Sequence, residues 1–154
     1  MDQPPGLEFA FRITADLEPP IEQGTWEAQR RRIVPINGGK VEGERFTGLI
    51  LPGGADWQTL STEDGLSRLE ARYAIQHDDG TVVAVTNRGL RRGPPEVMAR
   101  LAAGERVDPA EYYFRSCPEF EAPPGPHRWL SESLFLCVGK RWPDRVELEI
   151  WRVA

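Results

Sequence analysis

The chain has 154 residues, 40% of them hydrophobic and 28% charged, which is the length and balance of one folded domain spanning residues 1–154 and too little for two of ordinary size. The formal net charge of -5 argues against nucleic acid as a partner, because phosphate-binding proteins carry a basic surplus. No run approaches the ~20 apolar residues that cross a bilayer. Met1-Asp2-Gln3-Pro4-Pro5 has neither the basic nor the apolar region of a secretory signal, so the expectation is a cytoplasmic protein with no membrane partner. Cys117 and Cys137 stand in no metal or redox spacing and suit a reducing compartment.

Short apolar runs punctuated by 15 glycines and 14 prolines are the pattern of an all-β chain. In residues 7–17, Phe9, Phe11, Ile13, Ala15 and Leu17 alternate with polar or small residues, the period of a half-buried strand. Residues 18–30, with Pro19-Pro20 and Gly24, read as a loop. Residues 31–36 read as a short strand broken by Pro35, with Gly38-Gly39 as a turn. Residues 41–51 read as a long strand whose Gly43 and Gly48 suit the bends of a barrel. Strands follow at 57–61, 66–76 and 81–87, the last two joined by Asp78-Asp79-Gly80, a hairpin signal. One helix is predicted near 94–103: Pro94-Pro95 starts it, Val97, Met98 and Leu101 share a face, and Gly104 closes it. A strand at 112–117 runs into a proline-marked loop that pairs Phe120-Glu121 inside it. Residues 134–138 and 145–153 form a last hairpin around Trp142-Pro143-Asp144.

The fold class is therefore mainly β, a small antiparallel barrel of eight to ten strands with one short helix. The segments 47–51 and 82–85 are apolar on both faces. In a barrel one face lines the interior and the other is covered by the helix or by another subunit, so a homo-oligomer, dimer or higher, is expected.

Several ordered segments resemble the DUF3237 (UPF0311) family of mostly bacterial proteins. They are Gly48-Leu49-Ile50-Leu51-Pro52-Gly53-Gly54-Ala55-Asp56-Trp57-Gln58, Ala71-Arg72-Tyr73, Asp79-Gly80, Gly89-Leu90-Arg91, Tyr112-Tyr113-Phe114-Arg115, Phe120-Glu121, Trp129-Leu130 and Arg141. Ser131 stands where the family pattern has asparagine after Trp-Leu, which alters a polar contact made by that amide. The resemblance implies a barrel similar to the allene oxide cyclase and dirigent type, and no settled activity.

No metal is expected: His77 and His127 lie far apart in the chain, and Asp78 and Asp79 belong to the hairpin turn. No cofactor is expected either. The glycine pairs open no helix, and neither a nucleophile elbow nor a dinucleotide fingerprint is present. Arg30-Arg31-Arg32 reads as a solvated run. What remains is acid, arginine and aromatic chemistry inside a barrel. In Asp56-Trp57-Gln58 either Asp56 caps a turn and Trp57 packs in the core, or Trp57 and Gln58 form a cavity wall. Tyr73 shares a face with Leu69, Ala71 and Ile75, and Arg72 with Arg68 and Glu70. Tyr112 and Phe114 share one face, Tyr113 and Arg115 the other. Glu147 and Glu149 face water, or face inward if the interior is wet.

The expected function is binding of a small molecule in the barrel. Catalysis without a cofactor, an isomerisation, cyclisation or hydration of a small apolar or aromatic compound, is one form of it. Arg115 or Arg141 would stabilise charge, and Asp56, Tyr73 or Glu121 would move a proton. Trp57, Gln58, Tyr112, Tyr113, Phe120, Glu121, Trp129 and Arg141 are the candidate ligand contacts. The alternatives are a non-catalytic binder or an oligomer whose aromatics serve an interface. An acid group within hydrogen-bond reach of an arginine in the cavity separates catalysis from binding.

Overall fold

The computed structural model describes residues 2–154. It contains ten strands: β1 (Leu7–Leu17), β2 (Ile21–Trp26), β3 (Gln29–Glu42), β4 (Gly48–Ile50), β5 (Gly54–Ser61), β6 (Ser67–His77), β7 (Val82–Arg92), β8 (Tyr113–Glu121), β9 (Phe135–Arg141) and β10 (Arg145–Val153), with one α-helix, α1 (Pro95–Ala102). All pairings are antiparallel. β1 pairs with both β10 and β3, which closes the sheet. β4 and β5 share one slot between β3 and β6, so eight strand positions circle the barrel.

Four segments fold differently from the sequence expectation. Residues 18–30 are not a loop: β2 pairs with β3 from Ile21↔Ile33 to Trp26↔Gln29. β3 does not stop at Pro35 but runs on through Gly38-Gly39 to Glu42. Pro35 is tolerated because its carbonyl faces the break between β1 and β2, where it accepts from the Glu18 N–H at 3.1 Å. A strand residue points its N–H and C=O the same way, so the missing donor costs no ladder bond. The long strand expected at 41–51 is in fact the end of β3, a bend, and the three-residue β4. Phe120 and Glu121 continue β8 rather than sitting in a loop.

Parity sorts the interior into two ends. Phe11, Ile13, Val41, Phe46, Ile75, Val83, Phe120 and Phe135 fill the end at the β6–β7 hairpin and are buried. Inward positions at the other end include Arg32, Gln58, Ser67, Asn87, Arg91, Ser116 and Arg141, all buried. α1 lies across this second end. Its Val97, Met98 and Leu101 are buried, and its Ala102 carbonyl accepts from Arg32 at 3.0 Å. Pro95 stands in its first turn, where a missing N–H costs nothing.

The hairpin end is tied by histidines that the chain order keeps apart. Buried His127 makes a 2.7 Å hydrogen bond through Nε2 to Asp79 Oδ2, and His77 lies 3.2 Å from the other carboxylate oxygen. The Thr81 N–H also donates to Asp79 at 2.9 Å. These donors hold the Asp79 carboxyl well below the usual carboxylate range, the Thr81 amide contributing most and His127 next. A depressed carboxylate stabilises the fold above its unfolded value near ~4 and loses that contribution as pH falls further. Asp79→Asn keeps an acceptor and removes the charge. Its melting temperature is expected to fall below that of the native chain at pH 7, with the gap narrowing below about pH 4, in thermal melts recorded across pH.

Candidate functional site

At the α1 end the barrel holds a cavity of about 50 Å³, room for roughly four water-sized groups. Its apolar wall includes Ala15, Leu17, Ile36, Leu69, Val146 and Leu148, and its polar wall is Asp56, Gln58, Tyr73, Asn87, Arg91, Ser116 and Arg141. Each polar residue arrives by strand alternation: Asp56 and Gln58 from β5, Tyr73 from β6, Asn87 and Arg91 from β7, Ser116 from β8 and Arg141 from β9. A cleft of about 370 Å³ lies at the rim and shares Leu17 and Arg141 with the cavity. The rest of that cleft is formed by Arg32, the turn at Glu18-Pro19-Pro20, the end of α1 and Pro143-Asp144.

One hydrogen-bond chain fixes the acid. Arg32 Nε donates to Gln58 Oε1 at 2.8 Å, and Gln58 Nε2 donates to Asp56 Oδ2 at 2.8 Å. A guanidinium only donates, so the Gln58 amide has one orientation and must present its NH₂ to Asp56. Oδ2 of Asp56 is therefore an acceptor, and a proton on this carboxyl belongs on Oδ1. Burial pushes the Asp56 carboxyl above its ordinary value, while Gln58, Arg91, Arg141 and Arg32 pull against the rise.

Five sealed polar atoms at the cavity have no hydrogen-bond partner among the described residues: Asp56 Oδ1, Tyr73 Oη, Asn87 Oδ1, Arg91 Nε and Ser116 Oγ. Native interiors leave few such atoms unpaired, because each costs about 1–3 kcal/mol. Arg91 lies over the Phe114 ring at 5.3 Å from its centroid. Burial draws its guanidinium down to about 10, which leaves it cationic at neutral pH. Burial raises the Tyr73 hydroxyl and takes the Cys137 thiol up to about 12, so neither is an anion at neutral pH. Phe114 is held by close packing: a Cβ at Gly139 would sit 2.6 Å from its ring.

The family described as "Protein of unknown function (DUF3237)" matches residues 5–153. The chain belongs to the DUF3237 family. A UPF0311 protein from Clostridium acetobutylicum is 39% identical over 96% of this chain and 93% of its own length. The crystal structure of a conserved protein of unknown function from Rhodopseudomonas palustris superposes with a TM-score of 0.93 at 40% identity, covering both chains in full. A hydroalkoxylation enzyme from Penicillium herquei is 35% identical over 85 residues, 54% of each chain.

Of the residues singled out in the sequence, Asp56, Gln58, Tyr73 and Arg141 come together at this cavity. Tyr112 stands behind it, its hydroxyl accepting from the Arg141 N–H at 2.8 Å. The others lie elsewhere. Trp57 is 49% exposed on the outer wall, because Asp56 and Gln58 take the inward positions on either side of it. Tyr113 and Arg115 face outward together, with the guanidinium 5.2 Å from the ring centroid. Phe120 packs in the apolar end, Glu121 is exposed, and Trp129 lies under Arg45 at 3.9 Å. Ser131, in place of the family's asparagine, accepts from the Ala122 N–H at 2.8 Å. Glu147 and Glu149 pair on the outside with Arg145 and Arg12.

Arg32, Asn87, Arg91 and Ser116 were not anticipated. Arg32 corrects the reading of Arg30-Arg31-Arg32 as a solvated run, being only 2% exposed. The signal was parity, since Arg32 shares its face with Val34 and Ile36, and Asn87 and Arg91 share theirs with Val83 and Val85.

Two substitutions probe the chain of bonds. Asp56→Asn removes a carboxyl that burial makes costly to ionise. Since the folded value is raised, the native carboxyl favours the fold at low pH and loses that advantage as pH rises. The variant is expected to melt higher than the native chain at neutral pH, with the difference gone in acid. Gln58→Leu strands both Arg32 Nε and Asp56 Oδ2. It should cost about 2 kcal/mol in chemical denaturation and move the Asp56 carboxyl further up in a carbon-detected NMR titration.

Proposed function

We propose that the chain binds a small organic molecule in the Asp56 cavity. Its apolar body lies against Leu17, Ile36 and Leu148, and its polar head meets Asp56, Tyr73, Asn87 and Arg91. The observation that carries this reading is the convergence of five unpaired polar atoms on one apolar-walled space. Packing alone gives no reason for such an arrangement, and ligand sites are built this way.

A catalytic form of the reading is favoured by Asp56. Asp56 lines the cavity, its Oδ1 has no partner, and its carboxyl is raised toward the protonated form that a general acid requires. Intramolecular addition of a hydroxyl across a carbon–carbon double bond suits one such group. Asp56 delivers its proton to one carbon, oxygen bonds to the other, and the hydroxyl proton returns to Asp56. The product is an isomer of the substrate, and no redox change occurs. The partial relationship to a hydroalkoxylation enzyme supports this class of reaction. Against it stands the lack of contact between acid and cation: Asp56 reaches Arg32 only through Gln58. Binding is therefore the conclusion and catalysis its extension.

2-Allylphenol, which carries both reacting groups, tests the two levels separately. Its addition is expected to shift the amide resonances of Tyr73, Asn87 and Ser116, and Ala71→Leu, which adds three carbons to the cavity wall, should abolish the shifts. Shifts confined to other surfaces defeat the binding reading. In D₂O the catalytic form predicts a cyclic ether with one deuterium in its new methyl group, formed by the native chain and not by Asp56→Asn.

A further inference from the structure

The α1 end of the barrel carries a surplus of buried positive charge. Arg32 and Arg91 are each 2% exposed and Arg141 is 8% exposed, against the single carboxylate Asp56. The arginine ion pairs of the described residues are made elsewhere, on the surface, from Arg12–Glu149 to Arg152–Glu8. A buried guanidinium without a counter-ion is costly, and native structures normally pair it.

The three cations are compensated unequally. Arg32 spends its donors on Gln58 and on the carbonyl of Ala102, at the negative end of α1. Arg141 turns its NH1 toward the Trp142 and Arg145 carbonyls. Arg91 has the face of Phe114 and an unpartnered Nε. Ser116, beside the Cys137 thiol, and Tyr73 add two hydroxyls on residues that line the same space, neither with an oxygen or nitrogen partner. Glu22 acts on Arg32 from outside the barrel but is paired with Arg30 at 2.5 Å, and the rim cleft holds Glu18 and Asp144. These last two are exposed, and Asp144 pairs with Arg145 at 3.1 Å.

We infer that the ligand of this cavity is a small organic oxyanion, a carboxylate or a phenolate, whose charged oxygen sits between Arg91 and Arg141 and whose first apolar atoms lie against Leu17, Ile36 and Leu148, any larger body leading out past Leu17 toward the rim cleft. The inference rests on the cavity being the ligand site proposed above. Arg91 and the hydroxyls supply the charge-assisted hydrogen bonds that a carboxylate or phenolate accepts. Asn87 offers its amide beside them. The cavity admits only a few non-hydrogen atoms, so the anionic group enters and a larger body remains in the cleft.

The test compares molecules of one shape and two charges. Propionate, benzoate and 4-cyanophenolate are titrated into the full chain by calorimetry at a pH where each is ionised, beside propionamide, benzamide and 4-cyanoanisole. At least one anion should bind at least about tenfold tighter than its neutral counterpart, the worth of one charge-assisted hydrogen bond. The carboxylate and phenolate arms tell which oxyanion is preferred. Arg91→Gln should weaken that anion at least about tenfold more than it weakens the neutral molecule. If Arg91→Gln does not fold, Asn87→Asp serves in its place. It sets a carboxylate at the cavity and should weaken the anion more than the neutral molecule.

Equal binding of anion and neutral analogue, with indifference to both variants, overturns the oxyanion assignment while leaving the cavity as the site. Failure of every anion to bind overturns the assignment as well. Anion binding that persists unchanged in Ala71→Leu shows a different site and overturns both readings.

Discussion

Closure of the sheet is the constraint on which the rest of this molecule depends. Because β1 pairs with both β10 and β3, the sheet closes on itself, with β2 paired on one side only, and each inward side chain faces the other strands at its level. A polar residue at an inward position has no route to solvent through the wall. Its partners must come from the same interior layer, from the cap across the end, or from a bound molecule. Arg32 takes the first two routes, through Gln58 and through the α1 carbonyl at Ala102. Arg91 has neither: its Nε finds no partner, and the face of Phe114 is its neighbour.

The two ends of the barrel divide the work. At the hairpin end, Phe11 meets Phe46 and Phe120, and Phe120 meets Phe135, at centroid separations of 5.0–5.8 Å. Such aromatic contacts add to what burial itself contributes. His127 and Asp79 then tie the loop at that end to the β6–β7 hairpin. The α1 end has the opposite character, with unpaired hydroxyls, an acid shifted toward neutrality and cations in excess. A domain of this size can hold such an end only if stability is supplied elsewhere, as binding sites commonly require.

Much of the fold was legible in the residues, and the reasons for the gaps are specific. Alternation revealed β1, β6 and β10, and the Asp-Gly turn revealed the β6–β7 hairpin. β2 escaped because all of its residues are exposed, so no apolar period marked it; pairing with β3 alone defines it. β7 read as ending near residue 87 because Arg88-Gly89-Leu90-Arg91-Arg92 has little strand propensity. Pairing with β8 carries it on to Arg92↔Tyr113 and places Arg91 inside. Trp57 shows how strict parity is. Aromatic character alone suggests a cavity wall, yet two polar neighbours at inward positions force the tryptophan out. His77 and His127 meet only because closure brings the hairpin and the segment after β8 together, which no local spacing records.

The same geometry explains why residue type predicts so little at the α1 end and so much at the other. In the apolar end any side chain of suitable volume satisfies its neighbours, so a hydrophobic pattern suffices to identify it. In the polar end each group is defined by what it fails to find. Asp56 matters because Gln58 occupies one of its oxygens and leaves the second without a partner. Gln58 is fixed in turn because Arg32 can only donate. Reverse the amide and Arg32 Nε would face an NH₂, while Asp56 would lose its donor. The orientation of the acid is thus set by a cation that need not itself touch the ligand. Arg91 and Arg141, which line the cavity directly, are free to do so.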